Sequence, residues 1–264
     1  MVSKGAIEAA FSGGVYHAAK GPEFFVEIGL PLTFTNPEQV YECWFDYKDG
    51  KLFEIYKEAY AEHGCYYLTP VTSSSYGLMT KFPVNTIEDF KGKKIRSWGA
   101  FTLLVKELGG SPVSLPGAEQ YVALQRGTVD GTIYALRSLE DYKLKEVVDY
   151  IIYPPLMGQV TINLYCNKKA YESLPSDIRK ILDEVSIEWA KNVYKPGIFG
   201  VEKECIEKAV AIGVKEVTLP EEEVDKMRKI CEEKVWPVYA AKNPRCKEII
   251  DLMLSYLREK GVLK

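Results

Sequence analysis

The chain has 264 residues, 47% of them hydrophobic, with a net charge of −3 and an isoelectric point near 5.7. That is enough apolar material for one large core or for two domains. The acidic balance excludes a global basic field of the kind that recruits nucleic acid or an anionic membrane, and no apolar run approaches the roughly 20 residues needed to span a bilayer.

In chain order, Met1 to Phe11 has no basic region followed by an apolar core and a small-residue cleavage site, and is not read as a signal peptide. Ser12-Gly13-Gly14 and Tyr16 follow a first strand, which places this loop to face a cleft. Phe24 to Leu32 is apolar. Asn36-Pro37 then opens a helix with Asn as cap and Pro at its first position, and Val40, Trp44 and Phe45 form its inner face. After Asp49-Gly50 the helical pattern resumes at Leu52, Ile55, Tyr56 and Tyr60 and runs to Gly64. Cys65 to Leu68 is rich in strand formers. Thr69 to Tyr76, TPVTSSSY, reads as a hydroxyl-rich loop, whose plainest role is a crossover between domains. Thr86 and Asp89 have the spacing of a capping box, with Asp in place of the usual Glu.

The stretch 89–140 carries the most information. Lys93 to Trp98 reads as a strand, and Lys91, Lys93 and Lys94 as its solvated start. Leu103, Leu104 and Leu108 mark a helix stopped by Gly109-Gly110. Ser111 to Leu115 is a second strand, Gln120 to Arg126 a second helix, and Val129-Asp130-Gly131 starts a third strand that ends near Tyr134. Strand, helix, strand, helix, strand is the pattern of a parallel sheet, where ligands sit beyond the carboxyl ends of the strands. Arg96, Trp98 and Tyr134 fall at such ends. A guanidinium matches a carboxylate bidentately and keeps its charge at any relevant pH. The competing role for Arg96 is a surface strand end paired with Glu or Asp.

Beyond this unit, Val147 to Tyr153 reads as a strand broken by Pro154-Pro155, and Val160 to Cys166 as a longer one. Asn163 sits mid-strand, where a buried amide needs a partner, either a neighbouring group or a ligand. Ser176 is expected to cap a helix with Ile178, Leu182, Val185, Trp189 and Val193 as its buried face. The helical pattern continues to about Ile212. Val214 to Leu219 is a short strand, followed by helices over 221–239 and 243–259. The returning helices point to two lobes built from discontinuous segments. Catalytic signatures are lacking: His17 and His63 lie in no metal or nucleophile motif, the six cysteines contain no C-x-x-C pair and read as buried thiols or as a disulfide set of an exported protein, and no glycine-rich phosphate loop occurs.

The segments DFKGKKIRSWG and ELGGSPVSLPGAEQYVALQRGTVDG, followed by Asn167-Lys-Lys-Ala-Tyr171-Glu-Ser-Leu-Pro175, resemble the solute-binding proteins of tripartite ATP-independent periplasmic (TRAP) transporters, the DctP type. They carry that family's D-x-K-G-x-K-x-R, G-x-x-P-V, E-x-Y-x-A-L-x-x-G-x-x-D-G and N-x-x-x-Y-x-x-L-P runs in order, and the resemblance extends from about Val2 to the C-terminus. It implies an α/β fold of two lobes, each a mixed, mostly parallel sheet flanked by helices, with the ligand cleft between them. The expected division is 1–78 with 163–216 and 79–162 with 217–264. The family role of TPVTSSSY makes Ser74 and Tyr76 candidate ligand contacts beside Arg96, Trp98, Tyr134, Asn163 and Tyr16.

Tyr150 to Pro154 and the V-D-G-x-x-aromatic ending are most similar to the branch that binds 2-oxo acids and related monocarboxylates. That branch often has a Glu-Trp pair, its Glu helping to hold a cation, where this chain has Ile133 and Tyr134, so no sodium site is expected. Gly5 to Ala10 resembles an internal strand of the family, which implies that a leader and a first strand-helix unit are absent from this chain; an open sheet edge there would favour association, including a homodimer. The function implied is periplasmic or extracytoplasmic capture of a small organic acid for a membrane permease, with no cofactor and no reaction. Two other readings stay open at this level: a ligand-free or sensor-associated domain of the same fold, and an enzyme acting on an organic acid.

Overall fold

The computed structural model describes residues 1–158 and 160–263. Nine strands run in chain order as β1 (Ala9–Ser12), β2 (Cys65–Ser73), β3 (Tyr76–Thr80), β4 (Lys94–Arg96), β5 (Ser111–Val113), β6 (Gly131–Ala135), β7 (Tyr150–Met157), β8 (Val160–Asn167) and β9 (Lys215–Thr218). They form two sheets, β1-β8-β2 and β5-β4-β6-β3-β7-β9. In the first sheet β8 pairs antiparallel with both neighbours, setting Asn163 opposite Ser12 and Pro70. In the second, β4 lies parallel between β5 and β6, with Arg96 opposite Val113 and Thr132. The strand-helix-strand pattern read in 89–140 therefore forms, and it makes β4 an interior strand whose last residue faces the cleft end of the sheet. β7 runs on through Pro154 and Pro155 where a break was expected. These prolines lie past the last β9 partner and beside an irregularity in the β3 pairing, so neither has to donate a ladder hydrogen bond.

Helices α1 (Glu23–Val26), α2 (Pro37–Phe45) and α3 (Lys51–Glu62) connect β1 to β2, and α4 (Ala100–Glu107), α5 (Gln120–Gln125) and α6 (Ser138–Asp141) belong to the second sheet. Their ends follow local chemistry. The Asn36 side chain accepts from Gln39 N at 3.0 Å to start α2, and the Thr86–Asp89 capping box is present, starting a short turn over Ile87–Phe90. The C-terminal third supplies α7 (Lys168–Glu172), α8 (Ser176–Trp189), α9 (Lys195–Ala211), α10 (Glu221–Ile230), α11 (Trp236–Ala240) and α12 (Pro244–Glu259). Wider turns over Ala190–Tyr194 and Cys231–Val235 join α8 to α9 and α10 to α11. Among the described residues no helix is long and apolar enough to cross a membrane.

Helix α8 departs from expectation twice. Ser176 is its first residue and not its cap. The expected inner face is divided: Ile178, Val185 and Val193 are turned outward at 43%, 52% and 62% exposure, while Leu182 and Trp189 are half-buried against neighbouring apolar clusters. The inward side instead carries the small residues Ser186 and Ala190, which let the helix approach β2 closely; Tyr41 Oη donates to Ala190 O at 3.0 Å, and Ala190 packs with Tyr41 and Val71. All six cysteines are buried and unpaired.

The largest apolar cluster runs from α1–α3 to β4 and α4 and is bridged by the C-terminal helices, through Trp236, Ile249, Met253 and Tyr256. Trp236 Nε1 donates to Pro31 O at 3.0 Å. Strand β9 spans the anticipated boundary at 216 and pairs wholly with the second sheet. Helix α12, anticipated in the second lobe, packs on α1 and α3. There Arg245 bonds the buried Glu23 at 2.9 Å, and Asn243 Nδ2 donates to the same carboxylate at 2.8 Å. Arg245→Leu should leave Glu23 buried with only a neutral partner and cost about 3 kcal/mol, measurable by urea unfolding; a cost below about 0.5 kcal/mol would show that this pair behaves as an exposed one.

Candidate ligand-binding site

Arg96 ends β4 at 6% exposure. Because β4 lies between β5 and β6, carbonyls from both sides reach it, one from the loop after β5 and one from within β6: Nε and Nη2 donate to Leu115 O at 3.2 Å, and Nη1 donates to Ile133 O at 3.3 Å. The guanidinium carbon lies 4.8 Å from the Tyr134 ring centroid. No carboxylate among the described residues is within ion-pair distance, so the competing role as a surface strand end paired with an acid does not hold. Of the five N–H donors of a guanidinium, one on each terminal nitrogen is left without an acceptor among the described residues. Burial pulls the Arg96 pKa down from its ordinary value, yet arginine stays charged in proteins.

Aromatic rings enclose this cation. Tyr76 meets Tyr134 edge-on at 5.5 Å and Trp98 at 5.7 Å, and Trp98 in turn touches Phe101 at 5.8 Å. From α1, Phe25 comes edge-on to Trp98 at 6.1 Å while stacking flat on Tyr239 at 5.0 Å. The Trp98 Nε1 hydrogen is buried and has no acceptor among the described residues. Two glycines make the enclosure possible. Gly99 has φ +54°, and a Cβ there would lie 2.1 Å from the Phe25 ring. A Cβ on Gly117 would lie 2.9 Å from Tyr134 Oη. Arg96, Trp98, Tyr134 and Tyr76 are thus brought together. Tyr16, on the turn after β1, is 82% exposed, and among the described residues no hydrogen bond or ring contact joins it to them.

Ser74 and Asn163 also stand apart from this group. The Ser74 hydroxyl is buried and donates to Glu202 Oε2 at 2.5 Å, because residues 74–75 are the tight link between β2 and β3 and not a loop facing the cleft. Asn163 is fully buried, accepting from Tyr67 Oη at 2.8 Å and donating to Tyr60 Oη at 3.3 Å. Of the two roles open to it, the partner within the fold is the one observed. Sequence reasoning missed Phe25, which looked like one more residue of an apolar run, and Glu202, which looked like one more charge on a helix.

Beneath the Gly13-Gly14 turn, the Asn163 network includes Glu27, whose Oε2 accepts from Tyr60 Oη at 3.0 Å while Oε1 is buried without a partner. Burial, opposed by the Tyr60 hydrogen bond, pushes its pKa well above the ordinary carboxylate value of 4.5. A folded-state value above the unfolded one means the folded protein binds the proton more tightly. The associated stability is therefore complete below about pH 4.5 and is lost as pH rises toward the folded value. Glu27→Gln lacks that loss, so its stability relative to the wild type should improve with pH above 4.5, by at most about 1.4 kcal/mol per pH unit. Denaturation midpoints between pH 4.5 and 8 test this; a pH-independent difference would contradict it.

The fold is that of a two-lobed α/β binding protein, with a buried cation at the end of β4. The chain matches the DctP family of bacterial extracellular solute-binding proteins, family 7, over residues 1–242, and belongs to that family, whose members are solute receptors and not enzymes. It is 27% identical over 191 residues to the monocarboxylate 2-oxoacid-binding periplasmic protein of Nostoc sp., covering 71% of this chain and 51% of that one. A TRAP periplasmic solute-binding protein from Rhodoferax ferrireducens, solved with bound malonate, is 25% identical with a TM-score of 0.84, covering 100% of this chain and 82% of that one. Another from Pseudoalteromonas atlantica T6c, solved with sodium and pyruvate, is 25% identical with a TM-score of 0.78, covering 98% and 78%. The chain spans about half the length of the curated relatives it matches.

Proposed function

We propose that this chain acts outside the cytoplasm as the receptor of a TRAP transporter, capturing a small organic acid through Arg96 and presenting it to the membrane permease. The observation that carries this reading is the buried guanidinium with two free N–H donors and no acid to balance it. A carboxylate would occupy those donors and balance the buried positive charge. Trp98 Nε1 supplies a further donor for a keto or second carboxylate oxygen, and Tyr76, Tyr134 and Trp98 stand beside the guanidinium as aromatic walls. The ligand would bridge lobes, touching Arg96 from the second sheet and the Tyr16 turn from the first, so that only a closed arrangement gains both sets of contacts. The relatives solved with malonate and with pyruvate make small carboxylic acids the first class to test.

The test is thermal or chemical unfolding across mono- and dicarboxylates and 2-oxo acids. A ligand at a hundred times its dissociation constant should stabilise the wild type by about 2.7 kcal/mol. Arg96→Ala should remove the shift, Trp98→Phe should weaken binding about tenfold through the lost hydrogen bond, and absence of any shift in the wild type would overturn the proposal.

We further propose that the acid is held without sodium. The position expected for a cation-binding carboxylate is Ile133, whose carbonyl is already taken by Arg96, and no cluster of three or more His, Cys, Asp or Glu that could hold a metal occurs among the described residues. Affinity for a shifting acid should be unchanged when sodium chloride is replaced by choline chloride at equal ionic strength; a tenfold loss would contradict this. The comparisons give no support to a homodimer.

A further inference from the structure

Three passages carry the chain between the two sheets. β2 leads to β3 through Ser74-Ser75, β7 leads to β8 past Gly158, and the rod formed by α8, Ala190–Tyr194 and α9 leads from β8 to β9. The rod is anchored at both ends. Ala190 packs with Tyr41 and Val71 on the first sheet, and Cys205 and Ala209 pack with Leu139 and Ile151 on the second. Glu202 lies between these anchors at 8% exposure.

Its Oε2 accepts from Ser74 Oγ at 2.5 Å and from Ser75 N at 2.6 Å. Ser75 Oγ donates to Gly158 O at 3.1 Å. One buried carboxylate therefore connects all three passages. The same serines are tied to the end of β6, since Leu136 N donates to Ser75 O at 2.9 Å and Arg137 N to Ser74 Oγ at 3.4 Å. Among the described residues no Lys or Arg makes an ion pair with Glu202; the nearby Arg137 pairs with Asp141. The titratable and charged groups sharing its groove, of about 670 Å³, are Tyr153, Lys203, Glu207 and Glu216.

We propose that Glu202 is a positioning residue, a latch that sets the angle between the lobes in the ligand-free protein. A change of lobe angle must be absorbed by backbone rotation at 74–75 and near 158, with bending of the rod. A charged acceptor on Ser74 and Ser75 holds that joint through two short hydrogen bonds of the stronger, charge-assisted kind. The inference rests on the reading that the lobes close on a ligand, but its test does not need one.

Nitroxides placed at Glu58→Cys on α3 and Arg126→Cys beyond α5 report the lobe separation, both positions being exposed and the six native thiols buried. Pulsed electron-spin distance measurement on ligand-free protein should give one narrow distribution in the parent. Glu202→Gln keeps the shape and loses the charge, and Ser74→Ala removes one of the two bonds. Each should broaden the distribution or raise a second separation above about a tenth of the molecules. Arg96→Ala should keep the parental distances while losing acid binding, so a failure of the binding reading and a failure of the latch register in different measurements. Should Glu202→Gln not fold, Ser74→Ala decides alone. Parental distances in every variant that folds would overturn the proposal.

Discussion

A positive charge is held out of water at the end of β4 with no negative charge to answer it. Burying an ion costs several kcal/mol after relaxation, and a protein usually recovers this by pairing. Arg96 has two backbone carbonyls and the face of Tyr134, which satisfy part of its hydrogen bonding and leave its charge uncompensated. The sheet order makes this arrangement possible. With β4 between β5 and β6, the loop leaving β5 delivers Leu115 O and strand β6 delivers Ile133 O to the guanidinium from opposite sides, and the side chain is fixed before any ligand arrives. Stability is given up at this point, as a preorganised anion site would require.

The walls around the charge depend on groups drawn from distant parts of the chain. Phe25 leans on Trp98 from the first sheet's helices and stacks on Tyr239 from the C-terminal segment, and it can do so only because Gly99 has no side chain. The site is thus completed by the same C-terminal helices that bridge the apolar core. An organic acid bound there would meet groups from both sheets, while the joint that lets those sheets move lies at Ser74, Ser75 and Glu202. Ser74 was a candidate ligand contact on the strength of its hydroxyl; it contributes to the joint instead.

Legibility in the sequence followed the range of the interaction. The β4-α4-β5-α5-β6 unit, the Asn36 cap and the Thr86–Asp89 box depend on residues a few positions apart, and their patterns could be read directly. Arg96, Trp98 and Tyr134 were placed together by one further rule, that parallel strands present their carboxyl ends to ligands, and Tyr76 by the family resemblance, whereas Tyr16, read from a loop following a strand, makes no hydrogen bond or ring contact with them. What escaped was set by tertiary contacts. An apolar row in α8 at helical spacing does not reveal that Ser186 and Ala190 are the residues which fit against β2. Asn163 read equally well as a ligand contact or a structural amide, and only the tyrosines at positions 60 and 67, separated from it by about a hundred residues, decide between these. Glu202 sits in a helix with many acidic and basic neighbours, and nothing local marks it as the one that turns inward.

The buried acids of this protein show why Arg96 differs in kind from them. Glu23 has Arg245 and Asn243 as partners. Glu27 has no cation, but burial raises its pKa, and a carboxyl so placed can take up a proton and surrender its charge; Glu202 is answered by the Ser74 hydroxyl and the Ser75 N–H. An arginine has no such exit, because its pKa stays far above any physiological pH even after burial has lowered it. Water or an anion must therefore answer the guanidinium, and of the two only an anion also balances its charge. An anion with two oxygens would satisfy the charge and the free N–H donors together, and a small carboxylic acid is the simplest molecule that meets both conditions.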